Sequence, residues 1–321
     1  MTTQKGSLTL QRGKISRPQK AVIYGPEGVG KSTLASQFPE PVFLDTEGGT
    51  HHLDVVRFPE AATWDDIIAA IAQLVTGEHS FKTLVIDTAD WLEKRLAEHI
   101  CRKANKESIE DFGYGKGYTL LAEEFAKFLA SLDALIRRGM HVVLLAHSTV
   151  RKFESPDQAG SYDRYELKLS KQVGPLLKEW ADLILFANYV TKVAESESGR
   201  KRGVGGRERV IFTTHAAAYD AKNRHGMEEK LPFAFDAIAR VFGVTPPPAK
   251  PASEPEKSTA DRLADLFAGH EDDVRAFLIS RNQIKADGVW ADIPADYTAR
   301  VLAQPEQFML SVAKFKAGGA K

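Results

Sequence analysis

Gly25, Gly30, Lys31 and Ser32 stand in the stretch GPEGVGKST at the spacing G-x-x-x-x-G-K-[ST], the pattern of a phosphate-binding loop. Each residue type has a physical reason. Glycine lets the backbone turn so that successive N–H groups converge on one anion. Lys31 brings a point charge to the β- and γ-phosphates, and Ser32 offers a hydroxyl to Mg²⁺. Pro26, Glu27, Gly28 and Val29 complete the loop and Thr33 follows it, so the whole run from Gly25 to Thr33 is a candidate nucleotide site. Before it, KAVIYG is short, apolar and rich in β-branched residues, as a strand is. After it, KSTLASQF is expected to be a helix that adds its free N–H groups and dipole. The implied ligands are ATP and Mg²⁺.

A second metal-binding group is needed, and Asp87 supplies it. It closes the apolar run LVID, and ligands of open α/β sheets sit at the carboxyl ends of strands. A carboxylate there holds Mg²⁺ through water. Hydrolysis also requires a group that orients and polarises water. No acid follows Asp87 directly, which leaves Glu47 in VFLDTEGGTHHLD as the candidate. His51 and His52 lack a spaced Cys/His set and read as loop residues.

The elements that must carry these residues alternate. PVFLD, TLVIDT, HVVLLAHS, ADLILFANYV and RERVIFTTH read as strands. TWDDIIAAIAQLVTG opens with Thr63 and Asp66 spaced as a capping box and places Trp64, Ile67, Ile68, Ile71, Leu74 and Val75 on one face. YTLLAEEFAKFLASLDALIRRG carries Leu121, Phe125, Phe128, Leu132 and Leu135 as an apolar stripe. The fold class is α/β: a mostly parallel central sheet with helices on both faces. The proline-rich run VTPPPAKPASEPEKS marks a linker, placed at 246–258. It separates a first domain, 1–245, from a small helical module, 259–321.

Composition narrows the class. The chain has 321 residues, 43% hydrophobic and 27% charged, which suits a soluble globular protein. A single cysteine, Cys101, fits a reducing cytoplasm. No run approaches the roughly 18 apolar residues of a membrane span, and the polar, basic N-terminus is not a secretory signal. Formal net charge is zero, so any nucleic-acid binding must come from local patches.

Several motifs in order resemble a known group. FLDTEGG is similar to the strand and Asp-x-Glu of RecA-type recombinases, which implies that Glu47 activates the attacking water. LLAHS ends where those proteins carry a polar γ-phosphate sensor, often Gln, which implies that role for His147. AKNRHG resembles the Lys-Asn-Arg-x-Gly motif of the RadA branch and the Lys-x-Arg of hexameric DnaB helicases. That resemblance implies that Lys222 and Arg224 reach a neighbouring subunit's nucleotide, and hence a homo-oligomer, ring or filament. Together with DFGYGKGY and the EEFAKFL helix, the set resembles phage-encoded RecA-core, AAA-domain ATPases of single-strand annealing and recombination, over about residues 17–245.

The resemblance implies a RecA-like P-loop core and single-stranded DNA as partner. Three segments are candidates for binding it. DFGYGKGY offers Tyr114 and Tyr118 for stacking on bases, with Lys116 beside them. The polar stretch 148–172, carrying Arg151 and Lys152, reads as the mobile DNA-facing loop that RecA proteins place there. The stretch 191–209 suits a β-hairpin whose tip carries Arg200, Lys201 and Arg202. The helical module is a candidate dock for a single-strand DNA-binding protein. A helicase or helicase loader, or a nucleotide-switched DNA-binding assembly protein with little turnover, are the alternative readings.

Overall fold

The computed structural model describes residues 12–13, 15–154, 161–190, 192–195, 201–204, 206, 208–245 and 259–318. The chain divides into two compact units, Met1–Pro247 and Pro248–Lys321. Expectations for Arg200 and for the linker fall outside the described residues, and Lys201 and Arg202 are described in backbone only.

The first unit begins with β1 (Lys20–Gly25), α1 (Lys31–Ala35), β2 (Pro41–Asp45), β3 (Val56–Arg57), α2 (Trp64–Thr76), β4 (Thr83–Asp87) and α3 (Ala89–Lys103). It continues with α4 (Lys116–Arg137), β5 (His141–Glu154), β6 (Ser161–Leu167), α5 (Val173–Trp180) and β7 (Leu183–Tyr189). Short strands close it: β8 (Lys192–Glu195), β9 (Lys201–Val204), β10 (Arg209–Phe212), β11 (Lys222–Asn223) and β12 (Lys230–Pro232). Ten strands form one sheet in the order β12-β10-β7-β1-β5-β4-β2-β3, with β6 paired to β5 and β11 to β7. From β7 to β3 the pairing is parallel, while the late strands β10, β11 and β12 join antiparallel.

Alternation along the strands builds two apolar layers. In β1, Val22 and Tyr24 face one side with Ile67, Leu92, Phe125 and Leu177 from the helices. Ala21 and Ile23 face the other, with Leu34, Phe38, Phe235 and Phe242. Both faces are covered, so the central strands are continuously apolar. The Thr63–Asp66 capping box forms, and the stripe of α4 is buried throughout. Ile68 departs from expectation: it is 40% exposed, because the buried face of α2 runs through Ala70 instead.

One stretch differs from the sequence reading. β5 does not stop at Ser148. It runs on to Glu154 and pairs antiparallel with β6, from Ser148 opposite Leu167 to Glu154 opposite Ser161. Most of the supposed mobile loop is therefore a β-hairpin followed by α5. The 191–209 stretch does contain a two-stranded pair, with Lys192 opposite Val204.

The second unit holds α6 (Thr259–Phe267), α7 (Glu271–Ser280), α8 (Ala295–Ala303) and α9 (Pro305–Gly318). Leu263, Phe267, Val274, Phe277, Leu278, Val301, Phe308 and Val312 pack among them as a separate core.

Candidate nucleotide site

Strand register brings the chemistry-bearing residues to one edge. Gly25 of β1 lies opposite His147 of β5, and Asp45 of β2 lies opposite Asp87 of β4. Gly25, Asp45 and Asp87 end their strands and His147 ends the parallel-paired part of β5, where an open α/β sheet leaves a crevice. Gly25 is obligatory for packing, since a Cβ there would fall 2.1 Å from the Ala187 carbonyl oxygen of β7.

The loop leaves β1 and enters α1 through Gly30, whose φ of 98° is left-handed. A Cβ on Gly30 would also meet Arg209 Nη1 at 2.6 Å and Phe233 at 3.4 Å. α1 is shorter than expected, five residues ending at Ala35, so its free N–H groups matter more than a dipole. Late strands brace the loop's carbonyls. Arg209 Nη1 donates to Val29 O at 3.0 Å and the Tyr189 hydroxyl to Gly28 O at 3.1 Å. Val29 itself is buried and anchors the loop in the core rather than facing ligand.

Lys31 Nζ donates to the carbonyls of Gly25 at 3.1 Å and Pro26 at 3.0 Å. Burial pulls this ammonium below its usual range, against the opposing influence of Asp87, Asp90 and Glu47. The Ser32 hydroxyl donates to Asp87 Oδ2 at 2.6 Å. Burial, with Asp45 and Glu47 nearby, pushes the Asp87 carboxyl up to about 6 despite that bond and Lys31. A hydroxyl oxygen and a carboxylate oxygen side by side, in a pocket short of positive charge, fit a hard cation that keeps most of its waters and takes phosphate oxygens. Glu27, Gly28, Gly30, Lys31, Ser32, Thr33, Glu47, Gly49, His52, Asp87, Thr88 and His147 line one cavity of about 370 Å³.

Asp45, which the sequence reading passed over, shapes the DTEGGT turn. Its carboxylate accepts from the N–H groups of Glu47, Gly48, Gly49 and Thr50 and from the Thr50 hydroxyl. Burial would raise its pKa, but these bonds hold it below the usual carboxylate range. The turn projects Glu47 into the cavity, with Oε2 3.5 Å from the Thr88 hydroxyl and 4.0 Å from His147 Nε2. His147 is buried and tied to Asp90, the second overlooked residue. An acid three residues past the Asp87 strand, in the first turn of a helix, was the available signal.

The AKNRHG segment lies elsewhere. Lys222 pairs opposite Ile184, near the amino end of β7, whereas the phosphate loop leaves the carboxyl end of β1. Within its own chain Lys222 is already engaged. Its ammonium donates to the carbonyls of Lys178, Glu179 and Ala181, at 3.0, 3.3 and 2.5 Å, and so caps the end of α5. Burial lowers its pKa, with Arg224 acting in the same direction. Arg224 donates to Asp182 Oδ1 at 2.9 Å, shares that carboxylate with Arg17, and stays 58% exposed.

Among the DNA candidates, Tyr114 is fully exposed and Lys116 opens α4 on the surface. Tyr118 is half-buried: its ring packs against the core and its hydroxyl lies 3.4 Å from Glu110 Oε1. Arg151 donates to Leu169 O at 2.7 Å and faces Glu166 at 3.6 Å, and Lys152 is exposed.

A family model described as an AAA domain matches residues 17–225, from just before β1 to just after β11. No protein with a curated description matches the chain.

Proposed function

The chain belongs to the AAA-domain family, and from that premise we propose that it binds ATP with Mg²⁺ at the carboxyl edge of its sheet and hydrolyses it while acting on single-stranded DNA. One observation carries the nucleotide part. Lys31, the Ser32–Asp87 pair and Glu47 converge on one cavity, supplying a phosphate cation, a metal seat and a candidate base. When bound, Mg²⁺ would neutralise charge on the phosphates, held by Ser32 and Asp87. Lys31 would exchange its carbonyl partners for phosphate oxygens. Glu47 would take the proton of the attacking water.

The DNA part rests on placement. The β5–β6 hairpin rises directly from His147, and the β8–β9 pair follows β7, so both leave the sheet at the carboxyl edge that carries the candidate nucleotide site. Lys152 on the first and exposed Tyr114 at the entrance to α4 suit backbone tracking and base stacking without sequence preference. Assembly enters through Arg224, an exposed guanidinium at the edge away from its own phosphate loop, whose use in catalysis requires a second copy. Recombination or annealing of phage type, with the helical module as partner dock, completes this reading.

Phosphate release measured over a range of protein concentrations, with and without single-stranded DNA, tests it. The expected result is activity per protomer that rises with concentration and rises again with DNA. Turnover indifferent to both removes DNA and assembly and leaves a plain ATPase.

A further inference from the structure

Asp90 stands in the first turn of α3, and its side chain is 9% exposed. Both its oxygens reach His147, and the Thr88 side chain adds a further hydrogen bond. Oδ1 accepts the backbone N–H of His147 at 3.1 Å, and Oδ2 lies 2.9 Å from His147 Nδ1. Burial favours a neutral Asp90, yet the bonds from His147 hold its pKa below the usual carboxylate range. An ionised carboxylate can only accept, so Nδ1 carries the proton. In the neutral ring Nε2 then presents a lone pair on the opposite side, 4.0 Å from Glu47 Oε2. That gap is too long for a direct hydrogen bond. It fits a shared water: a molecule donating to two acceptors at about 2.8 Å each holds them roughly 4.4 Å apart, and a modest bend of both bonds closes that to the observed gap.

We infer that Asp90 is a positioning residue that fixes the Nδ1–H form of His147, so that His147 Nε2 and Glu47 Oε2 together cradle the attacking water. The inference takes its reaction from the ATPase reading, but not its geometry. With both protons of the water engaged, its free electron pair is left to attack the terminal phosphorus. The bond from that phosphorus to the bridging oxygen breaks and ADP keeps the electron pair. One water proton passes to Glu47, and the other remains on the phosphate produced.

The test uses the full chain labelled with ¹⁵N-histidine at pH 8, where an ordinary imidazole is neutral. Long-range ¹H–¹⁵N correlation reads the tautomer, and loss of one signal set in His147→Gln assigns it. Wild type is expected to show Nδ1 protonated and Nε2 bare. Asp90→Asn keeps the shape but reverses the bond. The backbone N–H of His147 cannot turn, so the amide oxygen faces it and the amide NH₂ donates to Nδ1, moving the ring proton to Nε2. That variant is expected to show the Nε2–H form and to lose at least about tenfold in kcat with KM for ATP unchanged. A wild-type ring protonated at Nε2 overturns the inference, as does an Asp90→Asn protein with the Nε2–H form and wild-type kcat. A chain with no turnover in any form overturns the ATPase reading instead, and the spectrum still decides the tautomer.

Discussion

At the scale of single residues, Asp87 combines a functional and a thermodynamic role that can be separated. Its pKa is about 6 in the native state against an ordinary 3.8. Between those values the metal-free native protein holds a proton that the unfolded chain has released. Stability of the metal-free fold therefore falls as pH rises from about 4 to 6, by roughly 3 kcal/mol at most. Asp87→Asn should remove that loss. Urea unfolding in chelator should find the variant more stable than wild type at pH 7 and no more stable at pH 4. The same variant should lose Mg²⁺-dependent ATP binding, because a cation needs the ionised carboxylate. A variant less stable than wild type at pH 7 contradicts the burial argument. The phosphate loop and Asp87 were legible in sequence because their chemistry demands fixed residue types at fixed spacing. Asp45 and Asp90 were not, because each acts through a neighbour: one by gathering the N–H groups that display Glu47, the other by gripping His147.

Elements obey a different logic, since burial pattern is what makes them readable. The α4 stripe and the central strands announce themselves because one or both faces are dry. The hairpin of residues 149–154 and 161–167 did not read as strands, because its less exposed positions are filled by polar and aromatic residues such as Arg151, Arg164 and Tyr165 and so show no apolar alternation. Its exposed positions include Val150 and polar residues on each strand. Packing between elements makes its own predictions. Gly25→Ala drives a methyl into β7 and should cost about 1–3 kcal/mol in chemical unfolding, with nucleotide affinity falling alongside. An unchanged midpoint contradicts the close approach of β1 and β7. At the opposite edge, His141 Nδ1 accepts the Gln19 N–H at 2.9 Å and ties the entering chain to β5. Burial depresses its pKa to about 4 from 6.5. Here the unfolded state binds the extra proton, so stability falls as pH drops from 6.5 towards 4, opposite to the Asp87 effect. His141→Asn, which can still accept from Gln19, should lessen this acid loss. Unfolding of His141→Asn and Asp87→Asn from pH 4 to 6.5 should show slopes departing from wild type in opposite directions.

For the whole molecule, the claim is that the first unit is sufficient for nucleotide chemistry. Its two apolar layers close among its own elements, and the helical module has a separate core. A chain ending at Thr245 should therefore fold and bind ATP with an affinity within about threefold of the full chain. An insoluble fragment contradicts that division. The division between the two units, at Pro247 and Pro248, falls in the proline-rich run, whereas the antiparallel late strands and the place of AKNRHG had no such sequence mark. Which sheet edge a short polar segment joins is decided by tertiary contacts, such as the carbonyls that Lys222 caps. Glu47 is the proposed group that activates water, in a cavity whose other residues suffice for binding. Its most direct test is Glu47→Gln in the full chain, with ATP–Mg²⁺ affinity and phosphate release measured on the same preparation. The account predicts affinity within about threefold of wild type and turnover lower by at least about 100-fold. Turnover at the wild-type rate in a variant that binds ATP normally would contradict it.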